Sequence, residues 1–263
     1  MSKPEDLLLD AELIKQLESL MWQAGDAILE VYNSEDFGEH TKGDDSPVTK
    51  ADLAAHWVLV KGLAELTPDI PVVSEEDSAS VGIPNTHSLY WLIDPLDGTK
   101  EFIKRNGEFT CNLALIDQHQ TQLGFVGVPV AEELYIGGKT LASMLVNRQT
   151  STRTAIQHSH SVNGATRVVA SKSHLNGETR AFIDAVEGPV ELVQAGSSLK
   201  FLKIATGEAD LYPRLAPTCE WDTAAAHAVL EGAGGSVTQA SGEPMRYGKS
   251  EILNPHFIAK GSQ

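Results

Sequence analysis

The chain has 263 residues, with 20 Lys plus Arg against 36 Asp plus Glu and a formal net charge of −16. So negative a surface repels phosphodiester backbones and anionic membrane faces, which excludes nonspecific binding of nucleic-acid polymers and polybasic membrane docking. Capture of a small anion through metal ions stays open. At 41% hydrophobic and 21% charged residues the composition is that of a folded globular chain, of a length for one large domain or two closely packed ones. The two cysteines, Cys111 and Cys219, have no disulfide or zinc spacing, so free thiols in a reducing, cytoplasmic compartment are expected. Glu5, Asp6, Asp10 and Glu12 interrupt the run Leu7-Leu8-Leu9, against a secretory leader, and no stretch approaches the roughly 20 apolar residues of a membrane span.

Leu13, Leu17, Leu20, Ala24, Ile28 and Val31 recur in steps of three and four, which predicts an amphipathic helix over residues 10–33. After the turn-rich segment Lys42-Gly43-Asp44-Asp45-Ser46-Pro47, Thr49 or Asp52 is placed to cap a second helix carrying Leu53, Trp57, Val60 and Leu63. β-rich runs follow at 70–74, 89–94, 109–116, 123–130 and 134–137, separated by turn signals. A polar stretch at 147–164 reads as a connector between an N-terminal α+β half, 1–150, and a C-terminal α/β half, 151–263. In that second half strands at 167–171, 190–193 and 209–212 alternate with helices at 177–186, 197–206 and 222–232. His158 and His160 fall in the connector with no third ligand nearby, and Cys111 sits in an apolar strand where core packing is its expected role.

The densest chemical signal is Trp91-Leu92-Ile93-Asp94-Pro95-Leu96-Asp97-Gly98-Thr99, an apolar strand running into two carboxylates three residues apart. Pro95 and Gly98 bend the strand end, and Gly98 lets the backbone approach a ligand with no Cβ in the way. A helix starting near Thr99 would aim free N–H groups at the same point. Taken alone, Asp-Pro and Asp-Gly are equally ordinary turn dipeptides. Two further acidic clusters add weight: Ser74-Glu75-Glu76-Asp77 closes a short apolar strand, and Glu220-Trp221-Asp222 opens an apolar helix, although a lone Asp222 would serve as well as a helix cap.

These three segments, in this order, resemble the signatures of the lithium-sensitive, magnesium-dependent inositol monophosphatase superfamily over most of the chain. Within it the likeness is to the CysQ type of 3′(2′),5′-bisphosphate nucleotidase. It is carried by Gly43-Asp44-Asp45-Ser46-Pro47-Val48-Thr49, by Gly98-Thr99-Lys100-Glu101-Phe102 with Asn106-Gly107-Glu108-Phe109-Thr110, by Gly196-Ser197-Ser198-Leu199-Lys200, and by Ala209-Asp210-Leu211-Tyr212-Pro213-Arg214. The resemblance implies a layered α-β-α-β-α sugar-phosphatase fold. It also implies two or three Mg2+ ions held by Glu75, Asp94, the Leu96 carbonyl, Asp97 and Asp222, a ligand set of hard oxygens suited to that cation.

The same resemblance implies hydrolysis of the 3′-phosphate of adenosine 3′,5′-bisphosphate to AMP and phosphate, in sulfate assimilation and nucleotide turnover. The attacking water is activated by Glu75 and by Thr99 relayed to Asp44, with Asp45 as the neighbouring alternative. Substrate contacts are implied for Glu75, Asp97, Gly98, Thr99, Lys100, Ser171, His174, Gly196, Ser197, Lys200, Arg214 and Asp222. Lys200 and Arg214 would pair with the phosphate that is not cleaved, although by sequence alone both read equally as surface charge. An inositol or other sugar phosphatase is the rival reading, and a noncatalytic metal or nucleotide sensor the next. A monomer or homodimer is expected, with weak peripheral association with the inner membrane left open, and proximity of Cys219 to Asp222 suggests sensitivity to thiol reagents.

Overall fold

The computed structural model describes residues 10–35, 37–41, 47–158, 164–170 and 176–262. Asp10 caps the first helix, α1 (Ala11–Tyr32), by accepting from the N–H groups of Glu12 and Leu13. After the short pair β1 (His40–Thr41) and β2 (Pro47–Val48), Thr49 caps α2 (Lys50–Leu66), and Asp52 closes a capping box by accepting from the Thr49 N–H. Seven strands then form one sheet in chain order: β3 (Val72–Ser74), β4 (Leu89–Asp97), β5 (Thr110–Asp117), β6 (Gln120–Val128), β7 (Glu133–Gly138), β8 (Leu141–Asn147) and β9 (Thr152–Ala155). Only β3 pairs in parallel; the others are antiparallel, and the five-residue helix α3 (Thr99–Ile103) follows β4 directly.

The second sheet has the order β11-β10-β12-β14-β13, built from β10 (Thr166–Ala170), β11 (Val190–Gln194), β12 (Leu211–Arg214), β13 (Ser236–Gln239) and β14 (Phe257–Lys260). Its helices are α4 (Gly177–Asp184), α5 (Leu199–Ala205) and α6 (Ala224–Gly232). Side-chain alternation along β4 and β5 explains the layering. Trp91, Ile93, Leu113 and Leu115 pack with Leu17, Ile28 and Leu59 of α1 and α2, while Tyr90, Leu92, Ala114 and Ile116 pack with Phe201, Ala225, Val229 and Phe257 on the other face. A third cluster, Val168, Ala170, Ile183 and Leu211, seats α4 on the outside of the second sheet. Both faces of β4 and β5 are therefore buried, which is why these strands read as near-continuous apolar runs.

Several expectations are corrected by packing. On α2 the buried face is Ala51, Asp52, Ala55, His56, Leu59 and Leu63, so the expected Leu63 is in the core whereas Leu53 and Trp57, on the opposite side of the helix, are 46% and 55% exposed. The 147–164 stretch contains β9, an edge strand exposed along its length, which explains its polar composition. Strands β8, β13 and β14 were not anticipated. His158 is buried, with Nδ1 2.9 Å from the Ile204 carbonyl. Cys111 is fully buried in the core, as its apolar strand predicts, and burial pushes its thiol up to about 12.

Candidate active site

A β-bulge between Asp94 and Asp97 interrupts the pairing of β4 with β5. In a regular strand residues three apart face opposite sides, so the irregularity allows both carboxylates to serve one site. The bend is fixed by the Leu96 N–H donating to Asp94 Oδ1 at 3.1 Å. Gly98 then adopts φ +93°, ψ 39°, where a Cβ would sit 3.2 Å from the Glu108 carbonyl and 3.3 Å from Ser197 Cβ. Glycine at this position gives the backbone its left-handed conformation and lets the two sheets' loops approach.

Glu75, Asp94 and Asp222 each place a carboxylate oxygen within 4.8 Å of the others. Asp94 is almost wholly buried; burial first, then the charges of Glu75, Asp97 and Asp222 and a hydrogen bond with Glu75, push its carboxyl well above the usual range. Burial and the Asp97 charge likewise push Asp222 up to about 8. Glu75 and Asp222 sit on turns braced by residues that the sequence did not flag, among them His56, Ser80, Lys249 and Asn254. Ser74, next to Glu75, has its hydroxyl 2.8 Å from His56 Nδ1 and takes a bond from the Glu76 N–H, while its own N–H donates to Ser80. The turn bearing Asp222 is closed by the Cys219 N–H donating to Asp222 Oδ2, and clamped by Asn254 Nδ2, which donates to the Cys219 carbonyl and Thr223 Oγ1. Glu220, 1% exposed, pairs with Lys249 and accepts from the Gly248 N–H. A polar residue standing alone in an apolar or turn segment was the only available hint of these supports.

A cleft of about 160 Å³ opens beside the acids. Its walls include Asp97, Gly98, Lys100, Gly196, Ser197, Lys200, Arg214 and Asp222, so eight of the residues implied by resemblance share one cleft although they span two sheets. Lys200 donates to the Ser197 carbonyl at 2.7 Å, and burial, assisted by Arg214 and opposed by Asp97, lowers its ammonium to about 8. Arg214 donates to the Pro217 carbonyl, while its Nε is buried without a hydrogen-bond partner among the described residues. Thr99 Oγ1 is 3.3 Å from Asp52 Oδ1 and 3.4 Å from the Leu96 carbonyl, which brings that carbonyl to the same hydroxyl. Asp77 caps the following 3-10 turn by accepting from the Ala79 N–H. Asp44, Asp45, Ser171 and His174 lie outside the described residues.

Residues 9–261 match the model of the inositol monophosphatase family. The chain belongs to the inositol monophosphatase family. One relative is the 3′(2′),5′-bisphosphate nucleotidase CysQ of Salmonella typhimurium, 44% identical over 250 residues that cover 93% of this chain and 98% of that one. The corresponding nucleotidase of Buchnera aphidicola is 36% identical over 251 residues, covering 95% and 92%. The crystal structure of CysQ from Bacteroides thetaiotaomicron, 38% identical, matches with a TM-score of 0.85 over 97% of this chain and 98% of that one. An inositol monophosphatase from Thermotoga maritima, at 21% identity and a TM-score of 0.76 over 94% and 91%, shares the fold.

The inositol monophosphatase family is generally metal-dependent, and the donor chemistry here fits a hard divalent cation. Three carboxylates crowded within 4.8 Å, one of them buried, repel one another unless protons or cations intervene. Asn112, opposite Asp94 in the strand register, has a buried Oδ1 with no hydrogen-bond partner among the described residues. No helix among the described residues is long and apolar enough to cross a membrane.

Proposed function

We propose that this protein is a Mg2+-dependent phosphomonoesterase that removes the 3′-phosphate of adenosine 3′,5′-bisphosphate, giving AMP and phosphate. The observation that carries the reading is 44% identity along nearly the whole chain to a CysQ nucleotidase, with Glu75, Asp94 and Asp222 gathered beside a cleft lined by Lys200 and Arg214. Glu75, Asp94, the Leu96 carbonyl, Asp97 and Asp222 would hold the Mg2+, which when bound supplies positive charge to the phosphoryl oxygens and acidifies water.

The chain's own groups do the rest. Lys200 and Arg214 are suited to pair with the phosphate that stays, a charge-assisted contact that orients the nucleotide. Thr99, donating its proton to a carboxylate, keeps a lone pair free to take a proton from an attacking water. Asp44 is the partner implied by resemblance, with Glu75 sharing the water. The N-terminal half, 1–150, thus carries most of the metal ligands and the C-terminal half, 151–263, most of the nucleotide contacts. A cytoplasmic setting fits the charge and the nucleotide substrate.

The test is phosphate release in Mg2+ from adenosine 3′,5′-bisphosphate, its sulfated form, and inositol monophosphates. The expected result is a kcat/KM for the adenosine bisphosphate at least 100-fold above that for any inositol phosphate, on the order of two buried charge contacts. Preference for an inositol phosphate would replace the substrate, and no turnover of any of them would favour a sensor.

A further inference from the structure

Two polar side chains interrupt the apolar strand β5 at alternate positions, Thr110 and Asn112, and both are buried, at 0% and 1% exposure. In the strand register they stand opposite Asp97 and Asp94 respectively. Burying such groups is unfavourable unless they are bonded. Both reach across to the turn that precedes α5: Thr110 Oγ1 lies 2.6 Å from Ser197 Oγ, and Asn112 Nδ2 donates to Ser198 Oγ at 3.1 Å. The two serines then return to β4. Ser197 Oγ donates to Asp97 Oδ2 at 2.6 Å, and Ser198 Oγ lies 3.1 Å from the same oxygen and 2.9 Å from the Asp222 carbonyl.

Proton counting fixes the directions. Each hydroxyl has one proton. A carboxylate oxygen and a backbone carbonyl only accept, so the Ser197 proton goes to Asp97 and Thr110 must donate to Ser197. The Ser198 proton goes to Asp97 Oδ2 or to the Asp222 carbonyl, so Ser198 Oγ accepts from the Asn112 amide. One relay therefore runs from Thr110 through Ser197 to Asp97 Oδ2, and a second from Asn112 to the Ser198 hydroxyl, which is shared between that oxygen and the Asp222 carbonyl, with Asp97 Oδ1 outside both. Ser197 is held at φ +47°, a left-handed conformation unusual for a residue with a Cβ.

We propose that Thr110, Asn112 and Ser198 are positioning residues that, together with Ser197, orient the Asp97 carboxylate for a divalent cation and tie it to the Asp222 turn. The inference rests on the metal-site reading of Asp97 above. Such outer hydrogen bonds fix which lone pairs a ligand presents, and their loss weakens metal affinity by about 10- to 100-fold. Because the same turn continues into Lys200 at the cleft wall, it couples the segment that faces the substrate to the orientation of a metal ligand.

The experiment is a Mn2+ titration of metal-stripped protein, followed through the EPR signal of the free ion, with melting in the absence of metal as the fold control. Ser198→Ala and Thr110→Val are each expected to weaken Mn2+ binding about tenfold. Ser198→Ala combined with Asn112→Ala should weaken it no further than Ser198→Ala alone, because both act in one relay. Ser143→Ala, which removes a buried hydroxyl bonded to the Val229 carbonyl far from these residues in sequence, should lower the melting temperature and leave Mn2+ binding unchanged. Wild-type affinity in both Ser198→Ala and Thr110→Val, alongside severe weakening in Asp97→Asn, overturns the positioning role alone. Wild-type affinity in Asp97→Asn overturns the metal assignment and the inference with it.

Discussion

Replacing Asp94 by Asn should stabilise the metal-free protein and remove most of its response to Mg2+. With carboxylate oxygens within 4.8 Å, each ionised pair among Glu75, Asp94 and Asp222 repels by about 3.5 kcal/mol at an effective dielectric constant near 20. Asp94 avoids part of this by keeping a proton, a penalty that folding carries wherever the unfolded carboxyl would be ionised, because burial and its acidic neighbours hold the folded group well above its ordinary value of 3.8. Because the folded-state value is raised, this penalty is absent below pH 3.8 and grows as pH rises toward the folded value. Asn carries neither term, and its Oδ1 can still accept from the Leu96 N–H, so only a modest burial cost for the amide offsets the gain. Relief of one such pair, about 3.5 kcal/mol, less about 1–2 kcal/mol for burying the amide, leaves a net gain of about 2 kcal/mol at pH 7.5, or a melting temperature about 4–8 °C higher in a chain of this size. Excess Mg2+, at about 100 times its dissociation constant, should stabilise the wild type by about 2.7 kcal/mol, so the order of the two proteins reverses. Scanning calorimetry in EDTA and in Mg2+ measures both. A variant that melts at or below wild type in EDTA at pH 7.5, or gains as much from Mg2+, refutes the account of the cluster.

Other perturbations address separate parts of the site. Lys200, lowered to about 8, loses its charge as pH rises through that value, so kcat/KM for a bisphosphate should fall on the alkaline side. Lys200→Arg stays charged and should abolish that limb even if the maximum is lower; a limb that persists assigns it to another group. Thr99→Val should reduce kcat about 100-fold or more with little change in KM, and Asp52→Asn less, since Asp52 is bonded to Thr49 and lies 3.3 Å from Thr99. Equal KM increases with kcat intact in initial-rate measurements would instead assign both to binding. Gly98→Ala forces a Cβ into φ +93° and against Ser197, which should destabilise the fold by about 1–3 kcal/mol and weaken Mg2+ binding. Denaturant unfolding and a metal titration together check it.

The local elements were legible where short-range physics decides them. The three-and-four spacing from Leu13 to Ile28 gives α1 almost to its ends, and of the two candidate caps of α2 the structure uses Thr49, with Asp52 inside the helix closing the capping box. The face of α2 was not legible, since Leu53 and Trp57 have the right spacing for a core and yet face outward. Which side of a helix is buried depends on what packs against it, and α2 packs not only on α1 but on the sheet face of Trp91, Ile93, Leu113 and Leu115, which the local spacing does not reveal. Strand β9 was hidden for a related reason: at a sheet edge its side chains are exposed, so its polar composition looks like a linker.

By itself the sequence determined the chemistry: the acid clusters 75–77, 94–97 and 220–222, a glycine where the chain must turn, and by resemblance the family that uses them. The tertiary structure alone decided how those groups act on one another. It set Glu75, Asp94 and Asp222 within 4.8 Å, put Thr99 beside Asp52, and ran two hydrogen-bond relays from β5 through Ser197 and Ser198 to Asp97 and the Asp222 turn. Residue identity fixes which bonds a side chain is able to make. The separation of about a hundred residues between Asp97 and the serines that orient it is closed only by burial of the apolar layers between and around the two sheets.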